Sequence, residues 1–313
     1  MKYAVKKFLT LIITLFIVSL LAFLAFQVIP GDPTTKMLGT EATEEAKAAL
    51  RAQLGLDGSV VSRYWNWLTA FLRGDMGTSY SYRMPVSEML ADKLPITFLL
   101  SIMSFVLTAQ ISIPLGIWAG SAKSKAADVA ISTLDQMVMS VPPFFIGILA
   151  TWLFGTILNV FSTGDFVSYK ESWGGCLRYL VLPAFSIAIP RIAMTVRMLR
   201  SSILTELERD YVRTARSRGA ARGTILSQHV LKNALIPVIT FLAVSAAEIM
   251  TGSIIIERVF AIPGISQLLM TSISGRDFPV VQAIVVILAA WIVIINFAAD
   301  LLYKIVDPRI RLK

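Results

Sequence analysis

The chain has 313 residues, of which 56% are apolar and 16% charged, with one His, one Cys and a formal net charge of +9. Its mean hydropathy is +0.70. Ordinary soluble domains are about 45–50% apolar and a quarter charged, so a soluble one- or two-domain reading is excluded. A single Cys rules out an intrachain disulfide framework, and one His with one Cys cannot build a structural zinc site.

In chain order, uncharged stretches of about 20 residues predict six membrane spans. They are Phe8–Ile29, Ile96–Ala119, Val129–Ile157, Tyr179–Leu199, Ala234–Ile256 and Val280–Tyr303. The first follows Lys2, Lys6 and Lys7. It reads as an uncleaved span, because its apolar core outruns a signal-peptide core and no A-x-A site ends it. The third is overlong and holds Pro142-Pro143, which predicts a kink or a re-entrant bend. The fourth carries Pro183, Pro190 and Arg191 and is the least regular.

Between the first two spans, residues 30–95 are patterned rather than linker-like. Thr43 before Glu44 and Glu45 predicts a helix start, and Gly55 its stop. Tyr64, Trp65, Trp67, Leu68, Phe71 and Leu72 form an aromatic amphipathic stretch suited to a membrane interface. The loop Gly74–Ser79 follows, and Pro85–Lys93 reads as a short helix leading into the second span. The segment serves as an extracytoplasmic cap, as a docking and gating surface, or as both. On this reading residues 1–94 hold the first span and its cap, and residues 95–313 hold a five-helix membrane domain.

The basic residues set the orientation. Lys2, Lys6, Lys7, Lys123, Lys125, the cluster from Arg197 to Lys232, and Lys304, Arg309, Arg311 and Lys313 fall on one side. The short loops opposite hold only Lys170, Arg178, Arg258 and Arg276. By the positive-inside rule both termini are cytoplasmic, and the net charge is an orientation signal rather than a nucleic-acid footprint.

The segment Ser201–Asn233, between the fourth and fifth spans, is the richest in pattern. Arg209, Arg213 and Arg216 recur at spacings of four and three and are expected on one helix face, with Tyr211, Ala215 and Arg218 elsewhere on it. Gly219 interrupts, and Thr224–Leu235 resumes a helix that leads to Pro237. A helix, a glycine turn and a second helix would form a cytoplasmic knob; a solvated basic loop is the plainer alternative.

The stretch "YVRTARSRGA…HVLKNALIP" resembles the EAA-type coupling loop of ABC importer permeases, most closely those of dipeptide, oligopeptide and nickel importers. The family's alanine, its glycine four residues later and its distal Ile-Pro match Ala215, Gly219 and Ile236-Pro237; Arg213-Thr214-Ala215 stands for the leading Glu-Ala-Ala. Similarity extends through "IPGDP" (Ile29–Pro33), "LGLD" (Leu54–Asp57), "GDMGTSY" (Gly74–Tyr80), "LPITF" (Leu94–Phe98) and "SVPPFF" (Ser140–Phe145). It continues through "TGSIIIERVFAIPGI" (Thr251–Ile265), "RDFPVVQ" (Arg276–Gln282) and "DPRIR" (Asp307–Arg311).

The resemblance implies an all-α integral membrane fold of six helices with a helical cap after the first and a coupling loop at residues 201–235. It implies that Arg209, Tyr211, Arg213, Thr214, Ala215, Arg216, Gly219, Ile236 and Pro237 couple to a separate ATPase subunit. The implied partners are two ATPase subunits that bind ATP and Mg, a second homologous permease subunit, an extracytoplasmic substrate-binding protein and the bilayer of the cytoplasmic (inner) membrane. Di- or oligopeptide import by alternating access is the implied function; nickel or a metallophore complex is the alternative cargo.

No G-x-x-x-x-G-K-[ST] occurs, so no P-loop cradles nucleotide in this chain, and no cofactor is expected in it. His229 has no evident Ser or Cys partner, and Cys176 reads as a lone buried or interfacial thiol. A membrane-embedded enzyme, the remote alternative, would need a nucleophile–base pair that the sequence does not offer. Within the spans, Glu248 is the deepest charge, flanked by small residues including Ser245. It either lines a translocation path or pairs with a neighbouring helix or subunit. Asp135, near the cytoplasmic end of the third span, reads as a boundary or gate group and a further path candidate, and Asp300, similarly placed in the sixth, as a boundary or gate group.

Overall fold

The computed structural model describes residues 2–28, 33–39, 42–53, 57–121 and 125–306. The motif residues 29–32, 54–56 and 307–311, and with them the predicted stop at Gly55, lie outside the described residues. The described residues form helices and connecting turns with no strand; Thr78 and Pro85 make one isolated antiparallel bridge.

In chain order the helices are α1 (Lys2–Val28), α2 (Pro33–Leu38), α3 (Glu44–Gln53), α4 (Val60–Leu72), α5 (Val86–Ala91), α6 (Leu94–Ser121) and α7 (Lys125–Met139). There follow α8 (Pro143–Thr151), α9 (Trp173–Leu207), α10 (Asp210–Ser217), α11 (Arg222–Thr224), α12 (Leu231–Val259), α13 (Ile265–Ser274) and α14 (Phe278–Val306). A π-helical turn continues α8 over Trp152–Ile157, and another joins α11 to α12 over Ile225–Val230.

Among the described residues five helices are long and apolar enough to cross a membrane: Val5–Phe26, Val86–Ser121, Trp173–Leu207, Arg222–Val259 and Phe278–Leu301. A sixth span exists if the bent pair Val129–Met139 and Pro143–Ile157, at 90° to each other, is one. The break sits where Pro142-Pro143 predicts it. Pro142 is extended (φ −63°, ψ 143°) and Pro143 opens α8, a position that asks for no backbone N–H.

The chain divides into two compact units, Met1–Ile96 with Pro263–Ile294, and Thr97–Ile262 with Ile295–Lys313. In the first, Ser59 caps α4 by accepting from the Ser62 N–H, and α4 lies against α1. Tyr64 is buried there, shares a 2.8 Å hydrogen bond with Ser19, and stacks edge-on with Phe16 and Phe23. Trp65 and Leu72 stay exposed, so only one face of the predicted aromatic stretch packs on the chain. Thr43 caps α3 as predicted, accepting from the Ala46 N–H at 3.3 Å. The apolar core of this unit joins Val86, Met89 and Leu90 to Ile265, Leu268, Val280 and Ile284. Helix α13 falls in a stretch that reads as a loop between spans, because its ten residues are too short to register as one.

The second unit is organised on α9 and α12, its most extensive helix pair. Ser172 caps α9 by accepting from the Gly175 N–H at 3.1 Å. Pro183 and Pro190 sit inside this helix, and nearby hydroxyls bond back to its carbonyls: Ser186 to Leu182 O at 3.0 Å and Thr195 to Arg191 O at 2.7 Å. Such back-bonding is one way that transmembrane helices accommodate proline. Gly116 and Gly120 of α6 lie against Leu199 and Ile203, so closely that an added Cβ would come within 2.8 and 2.9 Å of them. Small residues at this spacing let helix backbones approach.

Candidate functional site

Two groups of the predicted residues converge in the second unit. The first is the segment between α9 and α12. Helix α9 ends at Leu207, and the chain restarts as α10 with Arg209 at its N-cap in extended conformation. Arg209 is therefore not on the arginine face of the helix, as its spacing from Arg213 suggests; it precedes the first turn, and its Nε stands 3.7 Å from Glu206. Arg213 sits 3.8 Å from Asp210, and both are exposed, as are Thr214 and Arg216.

The inward side of α10 anchors it. Val212 is fully buried in a cluster with Leu199, Ile203, Ile225, Val230 and Val238, against which Ala215 and Ala220 pack. Tyr211 donates to the Glu206 carboxylate at 2.6 Å, and the Asn233 amide donates to the same carboxylate and to the Tyr211 hydroxyl, each at 3.4 Å. Burial, and then the Glu206 carboxylate that its proton bridges, raise the Tyr211 pKa above the usual phenol range.

The end of α10 explains the alanine–glycine spacing. Gly219 adopts φ +79°, its N–H bonds to Arg216 O at 3.0 Å, and the Ala220 N–H bonds to Ala215 O at 3.2 Å. This is a Schellman cap, with Ala215 supplying the third-from-last carbonyl and Gly219 the left-handed residue. An added Cβ on Gly219 would meet nothing within 4 Å inside the chain, so the requirement there is conformational. Beyond it, Arg222 starts the next helix and bonds to Ser121 O at 3.2 Å. Ile236 and Pro237 follow inside α12, half-buried beside that same core.

The second group lies deep in the long helices. Arg191 on α9 and Glu248 on α12 form an ion pair, Nη1 to Oε2. Counted from Leu207 and from Leu231, each is about 25 Å along its helix at 1.5 Å per residue. A charge at mid-bilayer costs about 2.5–3.5 kcal/mol on insertion scales, so neighbouring opposite charges are expected to meet. The pairing with a neighbouring helix, one of the two readings of Glu248, is thus realised within the chain. Arg191 and Glu248 read as separate features in the sequence; two opposite charges at matched depth in successive spans were the signal that they meet. Ser245 is buried, and its Oγ makes no hydrogen bond among the described residues. Asp135 is buried on α7, and one turn earlier Ser132 accepts from Arg200 of α9 at 3.2 Å.

Several of the motif stretches brace one another. Ser79 and the N–H groups of Tyr80 and Ser81 all donate to the Asp277 carboxylate. Thr97 donates to the fully buried Glu257 at 2.5 Å, and Tyr179 to Phe260 O at 2.5 Å. Glu206 stands in no quoted motif, and Asn233 and Asp277 stand in quoted stretches with no role assigned to them, so sequence reasoning passes over the contacts of all three.

Long apolar helices with few charges, one pair of them joined at depth, define a multi-pass helical membrane protein. Residues 112–312 match the model of the binding-protein-dependent transport system inner membrane component, and residues 1–101 match the N-terminal model of the same membrane component. The chain belongs to this family. It is 37% identical over 295 residues to a Brucella abortus protein named for a peptide transport system permease, covering 94% of each chain. It is 32% identical over 309 residues to a peptide ABC transporter permease of Sinorhizobium fredii, covering 99% of each. The glutathione transport system permease of Salmonella choleraesuis is 35% identical over 313 residues, end to end.

Proposed function

We propose that this chain is one of two permease subunits of an ATP-driven importer that passes di- and oligopeptides across the cytoplasmic membrane by alternating access. The observation that carries the reading is the end-to-end similarity to permeases named for peptide and glutathione transport. Glutathione is itself a tripeptide, which favours peptide over nickel or a metallophore as cargo.

The helix α10 and its glycine cap form the segment that engages an ATPase subunit. Its buried side is fixed by Val212, while Arg213, Thr214 and Arg216 of the helix remain exposed, with exposed Arg209 just before its first turn. An arginine-rich surface of this kind suits an acidic groove. Tyr211, Ala215, Gly219, Ile236 and Pro237 set the shape and footing of the knob. Both termini are cytoplasmic in this reading, ATP and Mg belong to two partner subunits, and an extracytoplasmic protein delivers the peptide. No reaction is catalysed by the chain itself.

Purification in mild detergent tests this assembly. The expected result is co-purification with a second permease and ATPase subunits, with peptide identified by mass spectrometry in the cognate binding protein. A chain that purifies alone, with no associated ATP hydrolysis, contradicts it.

A further inference from the structure

Arg191 and Glu248 take no part in the proposed ATPase contact, and their surroundings are those of a site. We propose that the pair binds the two charged ends of a small zwitterion, Arg191 taking a carboxylate and Glu248 an ammonium. Resting on the peptide-import reading, this assigns the substrate as a peptide with free N- and C-termini.

The contact between them uses Nη1 of Arg191 and Oε2 of Glu248, and a ligand that brings both charges would take over these groups together with the remaining guanidinium donors and Oε1. The side chain of Glu248 is 52% exposed and that of Arg191 24%; the other charges of the two helices, Arg178, Arg197, Arg200 and Glu206 on α9 and Lys232, Glu257 and Arg258 on α12, lie six or more residues away along the chain. Val244, Thr251 and Ile255 share the exposed face of α12 with Glu248, at spacings of four, three and four. That face is uncharged on both sides of Glu248. A ligand held at the opened pair is recognised at its charged ends, while this face reads no side-chain charge, as a carrier of varied peptide side chains requires. One turn beyond Glu248, a Cβ on Gly252 would meet nothing within 4 Å among the described residues.

The closed pair also selects. Opening it to a ligand that brings both charges replaces one internal ion pair by two and leaves no charge unmatched. A ligand with one charge would strand the other residue unpaired at membrane depth, which is costly. Neutralised termini should therefore not bind.

The test uses the assembled complex in detergent without its binding protein, titrated with trialanine or with N-acetyl-trialanine-amide, reading the thermal unfolding midpoint. Trialanine is expected to raise the midpoint and the blocked peptide to leave it unchanged. Glu248→Gln and Arg191→Gln should each raise the half-maximal trialanine concentration about tenfold, and Arg191→Lys by less. Equal shifts from both peptides, variants with unaltered response, or no shift with trialanine would each overturn the proposal. Should a variant not assemble, the comparison of free and blocked peptide on the unaltered complex decides alone. ATP-driven trialanine uptake into proteoliposomes, with the binding protein present, is measured separately. Uptake without a midpoint shift removes the site and leaves the import reading standing; absence of uptake removes the import reading.

Discussion

Ser79 and Asp277, 198 residues apart in the chain, meet in a buried 2.5 Å hydrogen bond. The same carboxylate accepts the backbone N–H groups of Tyr80 at 2.9 Å and Ser81 at 3.1 Å, and neither Ser79 nor Asp277 is exposed. One acidic side chain thus fixes the loop that runs from Gly74 to Pro85 onto the residue that immediately precedes α14. Asp277→Ala leaves three buried or half-buried donors without their acceptor and is expected to cost about 3 kcal/mol. Asp277→Asn, which keeps one carbonyl acceptor, should cost less. Thermal midpoints of the two variants in detergent check the order; equal midpoints for wild type and Asp277→Ala would remove the brace.

Tyr80 beside this carboxylate gives a pH dependence. Burial, and then the negative charge of Asp277, push its pKa up to about 12 from 10.0. The folded state therefore holds the phenolic proton more tightly than the unfolded state. That contribution is fully present below pH 10 and is lost as the pH rises towards about 12. Stability should fall over that window, and Tyr80→Phe should fall less steeply in the same denaturation series.

Gly219 tests conformation against space. Its φ of +79° is strained for residues with a side chain, while no atom of the chain crowds it. Gly219→Val should destabilise α10 by about 1–2 kcal/mol, and Gly219→Asn by little, since Asn tolerates the left-handed region. If the knob couples to an ATPase, Gly219→Val should also lower the peptide imported per ATP hydrolysed. Paired uptake and phosphate-release assays measure that ratio.

The contact of α6 with α9 depends on two missing side chains. A methyl group at Gly116 or Gly120 would press on the Cβ and branched carbons of Leu199 and Ile203, which cannot swing away. The double variant Gly116→Ala/Gly120→Ala should lose about 1–3 kcal/mol. Suppression by Leu199→Ala/Ile203→Ala would locate the clash.

Much of this fold is legible because a bilayer imposes length. A run such as Val280–Tyr303 has few alternatives to a spanning helix, and the break at Pro142-Pro143 follows from backbone chemistry alone. The glycine turn at Gly219 is legible for the same local reason. What the sequence hides is pairing over distance. Arg191 and Glu248 each look like an isolated anomaly, and Asp277 looks like one more loop acid, until the fold brings them to their partners. Arg209 misleads in a different way: its spacing from Arg213 is helical, but the helix begins one residue later. The tyrosine network is hidden too, because Glu206 and Asn233 stand at opposite ends of the segment between the fourth and fifth spans, with no spacing that ties either to Tyr211.

Reconstitution tests most directly whether this chain forms part of a peptide importer. Proteoliposomes containing the chain with its second permease, ATPase subunits and binding protein should accumulate labelled trialanine only when ATP is supplied to the ATPase side. Accumulation that needs no ATP, or ATP hydrolysis by the intact assembly with no peptide entering, would contradict it.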